Sequence, residues 1–189
     1  MVVQTASRNT FETGEFTLQA GDEVARQAEL HHIASDLLPR YGPNWNAHSM
    51  VTLRRQSWST VLYNDHLYRQ MLDVPGVILN FGVHWGASLT QLIALRGIHE
   101  PFNHSRTIVG FDTFEGFRDV ADQDGGHSRA GDYATMPGHE ETLERILELQ
   151  ESFSPLSHIR KFELVKGDAS ETVGPWLERN PHAIDAMVI

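Results

Sequence analysis

The sequence predicts an α/β fold in which helices cover both faces of a parallel sheet. Short apolar runs rich in β-branched residues alternate with amphipathic segments from residue 75 to residue 189. Such alternation is typical of βαβ units, whose right-handed crossovers build a parallel sheet. Two glycines follow the first run, and an aspartate closes each of the next two. This pattern favours a doubly wound, Rossmann-like sheet that binds a ligand at the carboxyl ends of its strands.

Helices are predicted before this sheet. Residues 1–20 are polar without a clear period, and we interpret them as a loose N-terminal arm. Apolar positions recur at helical spacing from Asp22, and Pro39 ends that helix. We interpret residues 21–74 as a region of N-terminal helices.

A second N-terminal helix is predicted over residues 55–72, and the turn "DVPG" follows it. Its aromatic side chains are Trp58, Tyr63 and Tyr68. We expect them to pack in the core, since large aromatic residues in a helix usually do so.

Residues 75–189 are predicted to form the sheet domain. Its helices are expected to stop at Gly97, near Phe153 and near Asn180, and Gly174 and Pro175 weaken the last of them. The predicted strands span 77–81, 106–112, 161–169 and 183–189, and the predicted helices span 87–97, 139–153 and 170–180.

The first strand runs directly into a glycine loop, "NFGVHWGAS". Gly82 and Gly86 allow a sharp turn and a close approach to a ligand, because no Cβ stands in the way. The helix from Ala87 then directs its free N–H groups at an anion. The spacing is neither that of a dinucleotide fold nor that of a P-loop, so a carboxylate is favoured over a pyrophosphate. His84 is a further candidate contact, and a tight turn without ligand is the alternative.

Aspartates close the next two strands. In nucleotide-binding α/β folds, an acid at the position of Asp112 hydrogen-bonds ribose hydroxyls. Asp168 in "GDA" could accept from the amine of a base, although helix capping or a turn would explain either aspartate. Together the three strand ends describe a ligand with a carboxylate, a ribose and an adenine. S-adenosyl-L-methionine fits that description.

Four stretches resemble the macrocin and mycinamicin sugar O-methyltransferases, which are class I enzymes that use S-adenosyl-L-methionine. They are "VPGVILNFGVHWGASLTQLIALRG", "RTIVGFDTFEGF", "PLSHIRKFELVKGDASETV" and "NPHAIDAMVI". The resemblance covers residues 50–189. It implies transfer of a methyl group to a hydroxyl of a sugar or a sugar-containing small molecule.

The resemblance also implies the site residues. The glycine loop would hold the methionine end of the cofactor, Asp112 the ribose, and the segment at Asp168 the adenine. The second N-terminal helix would contribute to the pocket or its lid, so the N-terminal helices of residues 21–74 would form a lid or cap over the cofactor. The implied cofactor contacts are Gly82, Val83, Gly86, Ser88, Asp112, Thr113, Gly167, Asp168, Ala169, Ser57 and Tyr63.

The sequence departs from this family in two places. Asn80 stands where the family usually has an acid, so a contact to the cofactor's ammonium loses its charge. The family's strand that matches "AIDAMVI" runs into an Asp-x-Asp-x-Tyr segment, which supplies a magnesium ligand and the proposed general base. We therefore expect the catalytic residues, the Mg²⁺ ligands and the second half of the usual seven-stranded sheet beyond Ile189, with no metal ligands in this chain.

The composition of the chain disfavours several kinds of partner and excludes one kind of chemistry. The net charge is −10 and there is no cysteine, which disfavours nucleic acid and anionic lipid as partners and excludes thiolate chemistry. We find no secretory signal and no apolar run long enough for a membrane span, so we expect a cytoplasmic protein. The last strand would be an exposed apolar edge, so a homo-oligomer is possible.

Two functions compete with the methyltransferase. A non-catalytic module that binds S-adenosyl-L-methionine or a partner would explain Asn80 and the missing acids. Another nucleotide-binding enzyme of doubly wound fold is disfavoured because no phosphate motif is present.

The Gly- and Asp-rich stretch 118–138 is interpreted as a mobile lid. Its "DQDGG" at 122–126 is similar to a calcium-binding loop but lacks the glutamate that such a loop requires.

Overall fold

The computed structural model describes residues 7–8, 16–17, 21–117, 130–183 and 185–189. Two compact units divide the chain. The helical unit comprises Met1–Thr60 and Phe117–Tyr133, and the sheet unit comprises Val61–Gly116 and Ala134–Ile189. The division at residues 20 and 74 stays a prediction. Most of the stretch interpreted as a lid, including 122–126, lies outside the described residues.

The helical unit contains two short strands and a series of helices. The strands pair antiparallel within the stretch that we interpreted as a loose arm. The first helix ends one residue before Leu38, where a 3₁₀ turn with Pro39 in its first positions takes over, as the sequence predicts. The elements are β1 (Ser7–Arg8), β2 (Phe16–Thr17), α1 (Gly21–Leu37), α2 (Trp45–His48), the start of α3 (Arg55–Gln70), and 3₁₀ turns at Leu38–Arg40, Gly42–Asn44 and Ser49–Thr52.

The aromatic side chains of α3 do not share one environment. Tyr68 is fully buried, whereas Tyr63 is 58% exposed and Trp58 is 38% exposed. The expectation that all of them pack in the core is therefore wrong for Tyr63 and Trp58. Five residues of α-helix turn the side chain by about 140°, so Tyr63 and Tyr68 point to different sides.

The sheet unit is built on four parallel strands in the order β5-β4-β3-β6. Every predicted strand is present, and the helices lie between them. The doubly wound, Rossmann-like α/β fold is thus confirmed. The elements are β3 (Val77–Phe81), α4 (Ala87–His99), β4 (Ile108–Asp112), α5 (His139–Ser152), β5 (Phe162–Lys166), α6 (Ala169–Arg179) and β6 (Asp185–Val188).

The strand order places a switch point beside β3. The chain moves outward from β3 to β4 and β5, and then returns to the other side of β3 with β6. Phe81 pairs with Phe111, and Asp112 pairs with Lys166, so the ends of β3, β4 and β5 are aligned. We call this aligned side, where the strands end, the carboxyl edge. It is the position at which doubly wound sheets bind ligands.

Both faces of the sheet are buried, which explains the nearly continuous apolar strands. One face packs on α4 and α5 through residues such as Ile78, Leu92 and Leu147. On the other face, Trp176 of α6 packs against Leu79 and Phe111. Helix α6 continues through Pro175, which was expected to weaken it, and its buried Trp176 anchors it there.

Buried ion pairs close the opposite side of the sheet, which we call the amino edge. Arg96 at the end of α4 pairs with Glu151 of α5, and Lys161 Nζ lies 2.6 Å from Glu151 Oε1. Arg96 Nη1 also donates to the backbone oxygen of Lys161 at 2.6 Å. All three side chains are buried, so this cluster ties two helices to the start of β5.

A second buried network lies at the same edge. Arg106 donates to the backbone oxygens of Val74 and Gly76 and to the carboxylate of Glu100, which also accepts from the Tyr68 hydroxyl at 2.7 Å. Burial alone would raise the pKa of Glu100, but hydrogen bonds from Arg106, Tyr68 and Asn103 outweigh it and hold that pKa below its usual value. Burial and the Glu100 contact raise the pKa of Tyr68.

Candidate functional site

The glycine loop leaves β3 and enters α4 at the carboxyl edge. Gly82 has φ 75° and Gly86 has φ 90°, a region that side chains with a Cβ rarely adopt. A Cβ on Gly86 would lie 2.3 Å from Leu143 Cδ1, whereas a Cβ on Gly82 would meet nothing within 4 Å. Gly86 therefore allows the loop to pack on α5, and Gly82 leaves open space at the edge.

The N-terminus of α4 is open to an anion. Gly86 is its N-cap and provides no side-chain hydrogen bond, so the first N–H groups of this 13-residue helix have no side-chain cap there. Ser88 lies half-buried in the first turn. Helix N-termini stabilise negative charge, so this end fits the carboxylate that the sequence predicts.

Asn80 is a buried polar side chain at the end of β3. It is 2% exposed, and its Oδ1 atom has no hydrogen-bond partner among the described residues. A buried acceptor without a donor costs about 1–3 kcal/mol. This oxygen is therefore suited to accept a hydrogen bond from a ligand.

Asp112 connects the strand end to the glycine loop. Its Oδ2 accepts the backbone N–H of His84 at 2.7 Å, and its Oδ1 accepts that of Phe114 at 2.6 Å. The backbone oxygen of Asp112 accepts the N–H of Gly167 at 2.9 Å, so the ends of β4 and β5 are also joined. Asp112, the residue predicted to bind the ribose, thus accepts two backbone N–H groups through its carboxylate and a third through its backbone oxygen.

Asp168 is the N-cap of α6. Its Oδ1 accepts the backbone N–H of Ser170 at 2.9 Å and the Ser170 hydroxyl at 2.6 Å. The capping role that we gave as an alternative is therefore present, and contact with an adenine stays a prediction. Ala169 begins the helix. Thr113 donates its hydroxyl to the backbone oxygen of Gly116 at 3.1 Å, within the turn after β4.

The other predicted cofactor contacts are Val83, Tyr63 and Ser57. The side chain of Val83 is buried in the core, where it packs over Gly110. Tyr63 is exposed on α3. Ser57 is exposed in the helical unit. A role for these residues in cofactor binding stays a prediction.

Comparison with solved structures identifies the family. CalS11, a calicheamicin methyltransferase, matches 90% of this chain and 67% of its own chain at 37% identity, with a TM-score of 0.81. The chain belongs to the CalS11 family of sugar O-methyltransferases. An apo structure of CalS11, described as a TDP-rhamnose 3′-O-methyltransferase of calicheamicin biosynthesis, matches 90% and 66% at 32% identity, with a TM-score of 0.75.

The family resemblance predicted from the sequence is confirmed at the level of sugar O-methyltransferases. Specificity of the macrocin type stays a prediction. No protein-family model and no curated protein sequence matches the chain.

The sequence did not predict the buried histidine beside the glycine loop. The His139 ring, 4% exposed, lies 4.6 Å from the Trp85 ring and 6.3 Å from the Phe114 ring, centroid to centroid. Both of its ring nitrogens lack a hydrogen-bond partner among the described residues. No local signal could reveal this cluster, because its members are far apart in the sequence.

An ion pair lies at the carboxyl edge. Lys166, the last residue of β5, pairs with Glu140 in the first turn of α5. Their hydrogen bond raises the pKa of Lys166 and lowers the pKa of Glu140. Both groups are therefore charged at neutral pH, and the Glu140 carboxylate neutralises the charge of the Lys166 ammonium.

The described residues bring together no group of three or more His, Cys, Asp or Glu side chains that could hold a metal ion. Mg²⁺ as a cofactor of this family member stays a prediction. Among the helices described, none is long and apolar enough to cross a membrane.

Proposed function

We propose that this chain binds S-adenosyl-L-methionine at the carboxyl edge and serves methyl transfer to a hydroxyl of a sugar or a sugar-containing small molecule. The observation that carries the proposal is the buried, unpaired Oδ1 atom of Asn80 beside the open Gly82 and the uncapped start of α4. Membership of the CalS11 family supports it.

The edge offers a partner for each end of this cofactor. Asn80 Oδ1 would accept a hydrogen bond from the methionine ammonium, and the first N–H groups of α4 would bind its carboxylate. The Asp112 carboxylate would accept from the ribose hydroxyls. Asp168 and Ala169 would border the adenine. Neutral Asn80 makes the ammonium contact weaker than an acid would.

The bound cofactor supplies a methyl group on a positively charged sulfur. The residues of the carboxyl edge would bind and orient the cofactor, and its methyl group would pass from sulfur to the acceptor oxygen while the electron pair of the C–S bond stays on sulfur. The acceptor hydroxyl would pass its proton to a general base.

The proposed acceptor is a small hydroxylated sugar compound. Resemblance to macrocin and mycinamicin methyltransferases favours a macrolide sugar, and the likeness to CalS11 favours a nucleotide-activated deoxysugar. Methyl transfer from labelled cofactor to each acceptor class would separate the two.

Calorimetric titration with S-adenosylhomocysteine tests the binding step. We expect the chain to bind, and Asn80→Leu to bind at least about tenfold more weakly, the equivalent of one lost hydrogen bond to a charged group. Asp73→Asn is the matched control, because Asp73 is exposed before β3 at the amino edge. A cooperatively folded chain that releases no heat with the ligand would overturn the proposal.

A further inference from the structure

Two residues at the carboxyl edge have an unusual backbone conformation. His84 in the glycine loop has φ 52°, and Phe114 after β4 has φ 59°. In this left-handed region the Cβ atom approaches the following carbonyl oxygen, so residues other than glycine pay a steric cost. Strained backbone persists only where the surrounding structure holds it.

The same carboxylate holds both of them. Asp112 Oδ2 accepts the N–H of His84 at 2.7 Å, and Asp112 Oδ1 accepts the N–H of Phe114 at 2.6 Å. Hydrogen bonds to an ionised acceptor are stronger than neutral ones. One side chain thus fixes the glycine loop and the turn after β4.

Ring contacts connect the two strained segments a second time. Trp85, next to His84, packs edge-on against the His139 ring, which in turn contacts the Phe114 ring. Phe114 and His139 are buried. The loop is therefore attached to the β4 turn through the carboxylate on one side and through three aromatic rings on the other.

We propose that Asp112 is a positioning residue that holds the glycine loop in its binding conformation before any ligand arrives. This inference goes beyond the proposed function, because both hydrogen bonds join groups of the chain itself and involve no ligand atom. A carboxylate offers about four lone-pair sites, so it can hold both N–H groups and still accept from a diol. A preorganised loop spares the ligand the cost of ordering it.

Asp112→Asn tests this positioning role in the free chain. The amide keeps the shape of the side chain, but its NH₂ group cannot accept, so one backbone N–H loses its partner. We expect hydrogen exchange at the His84 or Phe114 amide to accelerate by at least about tenfold, as one charge-assisted hydrogen bond is lost. Asp73→Asn should leave both amides unchanged.

His84→Gly provides the rescue. Glycine adopts a positive φ without steric cost, so the loop no longer needs the carboxylate to hold it there. In the Asp112→Asn background it should restore slow exchange at the Phe114 amide and at Trp85. If Asp112→Asn alone is unfolded, the double variant should melt cooperatively; a double variant that is equally unfolded would contradict the proposal.

Two ligands separate positioning from direct contact. S-adenosylhomocysteine carries the ribose diol, and its 2′,3′-dideoxy analogue does not. A residue that only binds the diol would leave the affinity of the analogue unchanged in Asp112→Asn. We expect the affinity of both ligands to fall at least about tenfold. Unchanged exchange together with unchanged affinity for the analogue would overturn the positioning role. If the unaltered chain binds neither ligand, the proposed function is wrong. Hydrogen exchange at the His84 and Phe114 amides, measured without ligand, would still test the positioning role.

Discussion

The two edges of the same sheet treat buried polar groups in opposite ways. At the amino edge, Arg96, Glu151 and Lys161 are buried, and their charges meet in one cluster. At the carboxyl edge, Asn80 and His139 are equally buried, yet Asn80 Oδ1 and both His139 ring nitrogens have no partner among the described residues.

The backbone does not show this contrast. Positive φ occurs at His84 and Phe114 at the carboxyl edge, and also at Gly76 and at Leu156, whose backbone oxygen accepts from Lys161 at the amino edge. At the amino edge, Arg106 satisfies the backbone oxygens of Val74 and Gly76. The two edges therefore differ in which buried side chains have partners and not in backbone strain.

Breaking the amino-edge cluster should have the largest effect. Glu151→Ala leaves the buried Arg96 and Lys161 without their counter-charge, which should cost about 3–5 kcal/mol of unfolding free energy. Urea denaturation measures this loss. The matched change Glu148→Ala removes an exposed pair with Arg145 and should cost less than about 1 kcal/mol. Equal losses for the two variants would contradict the contrast between buried and exposed pairs.

Alanine substitutions at Gly86 and Gly82 test how tightly the glycine loop is packed at the carboxyl edge. Gly86→Ala combines a positive φ with an overlap on Leu143, so it should destabilise the chain by more than about 2 kcal/mol. Gly82→Ala meets open space and should cost only the conformational term of about 1–2 kcal/mol.

Gly174→Ala serves as the control for these two variants. Gly174 lies in α6, and a Cβ there meets nothing within 4 Å. Alanine carries no positive-φ cost here, although its Cβ lies against the ring of the following Pro175, so the melting temperature should change less than in the other two variants. Thermal melting of all three variants gives the order, and a Gly86→Ala variant as stable as the unaltered chain would show that the loop does not pack on α5 as described.

Asn80→Leu should separate stability from binding. Removing a buried acceptor without a partner should raise the unfolding free energy by about 1 kcal/mol, while the affinity for S-adenosylhomocysteine falls. Denaturation and calorimetry on the same preparation measure both. A variant that is less stable and binds normally would mean that Asn80 is a structural residue.

The smallest effect concerns pH. Hydrogen bonds hold the pKa of Glu100 below its usual value of 4.5. A carboxyl whose pKa is lower in the folded chain stabilises the fold above its unfolded pKa, and this contribution is lost as the pH falls through the folded value. Melting temperatures between pH 3 and pH 6 should therefore fall less steeply below about pH 4.5 in Glu100→Gln than in the unaltered chain. Parallel curves would contradict this role.

The sheet could be predicted from the sequence because the patterns that mark its strands and helices are local. The runs at 77–81 and 106–112 are short and apolar, and Gly86 and Gly97 bracket a helical period. The alternation of strands and helices predicted a parallel sheet covered on both faces, whereas the strand order came only from the structure. Helix side chains were harder, as the wrong placement of Tyr63 shows, because neighbouring apolar residues do not share one helix face.

The site was predicted in part. The sequence indicated Gly82, Gly86, Asp112 and Asp168 from their positions after strands, and the structure brings these strand ends to one edge. It did not indicate that Asp112 holds His84 and Phe114, because left-handed backbone at a non-glycine residue leaves no mark on composition or period. It also missed His139, whose neighbours are distant in the chain.

The amino-acid sequence by itself determined the α/β class, the strands and helices, and the positions at which a ligand would meet glycine or acid. Hydrophobic period and turn chemistry act over a few residues, so they can be read from the chain. Only the tertiary structure decided which polar groups are satisfied. That depends on contacts between distant segments, which leave Arg96 paired at one edge and Asn80 Oδ1 unpaired at the other.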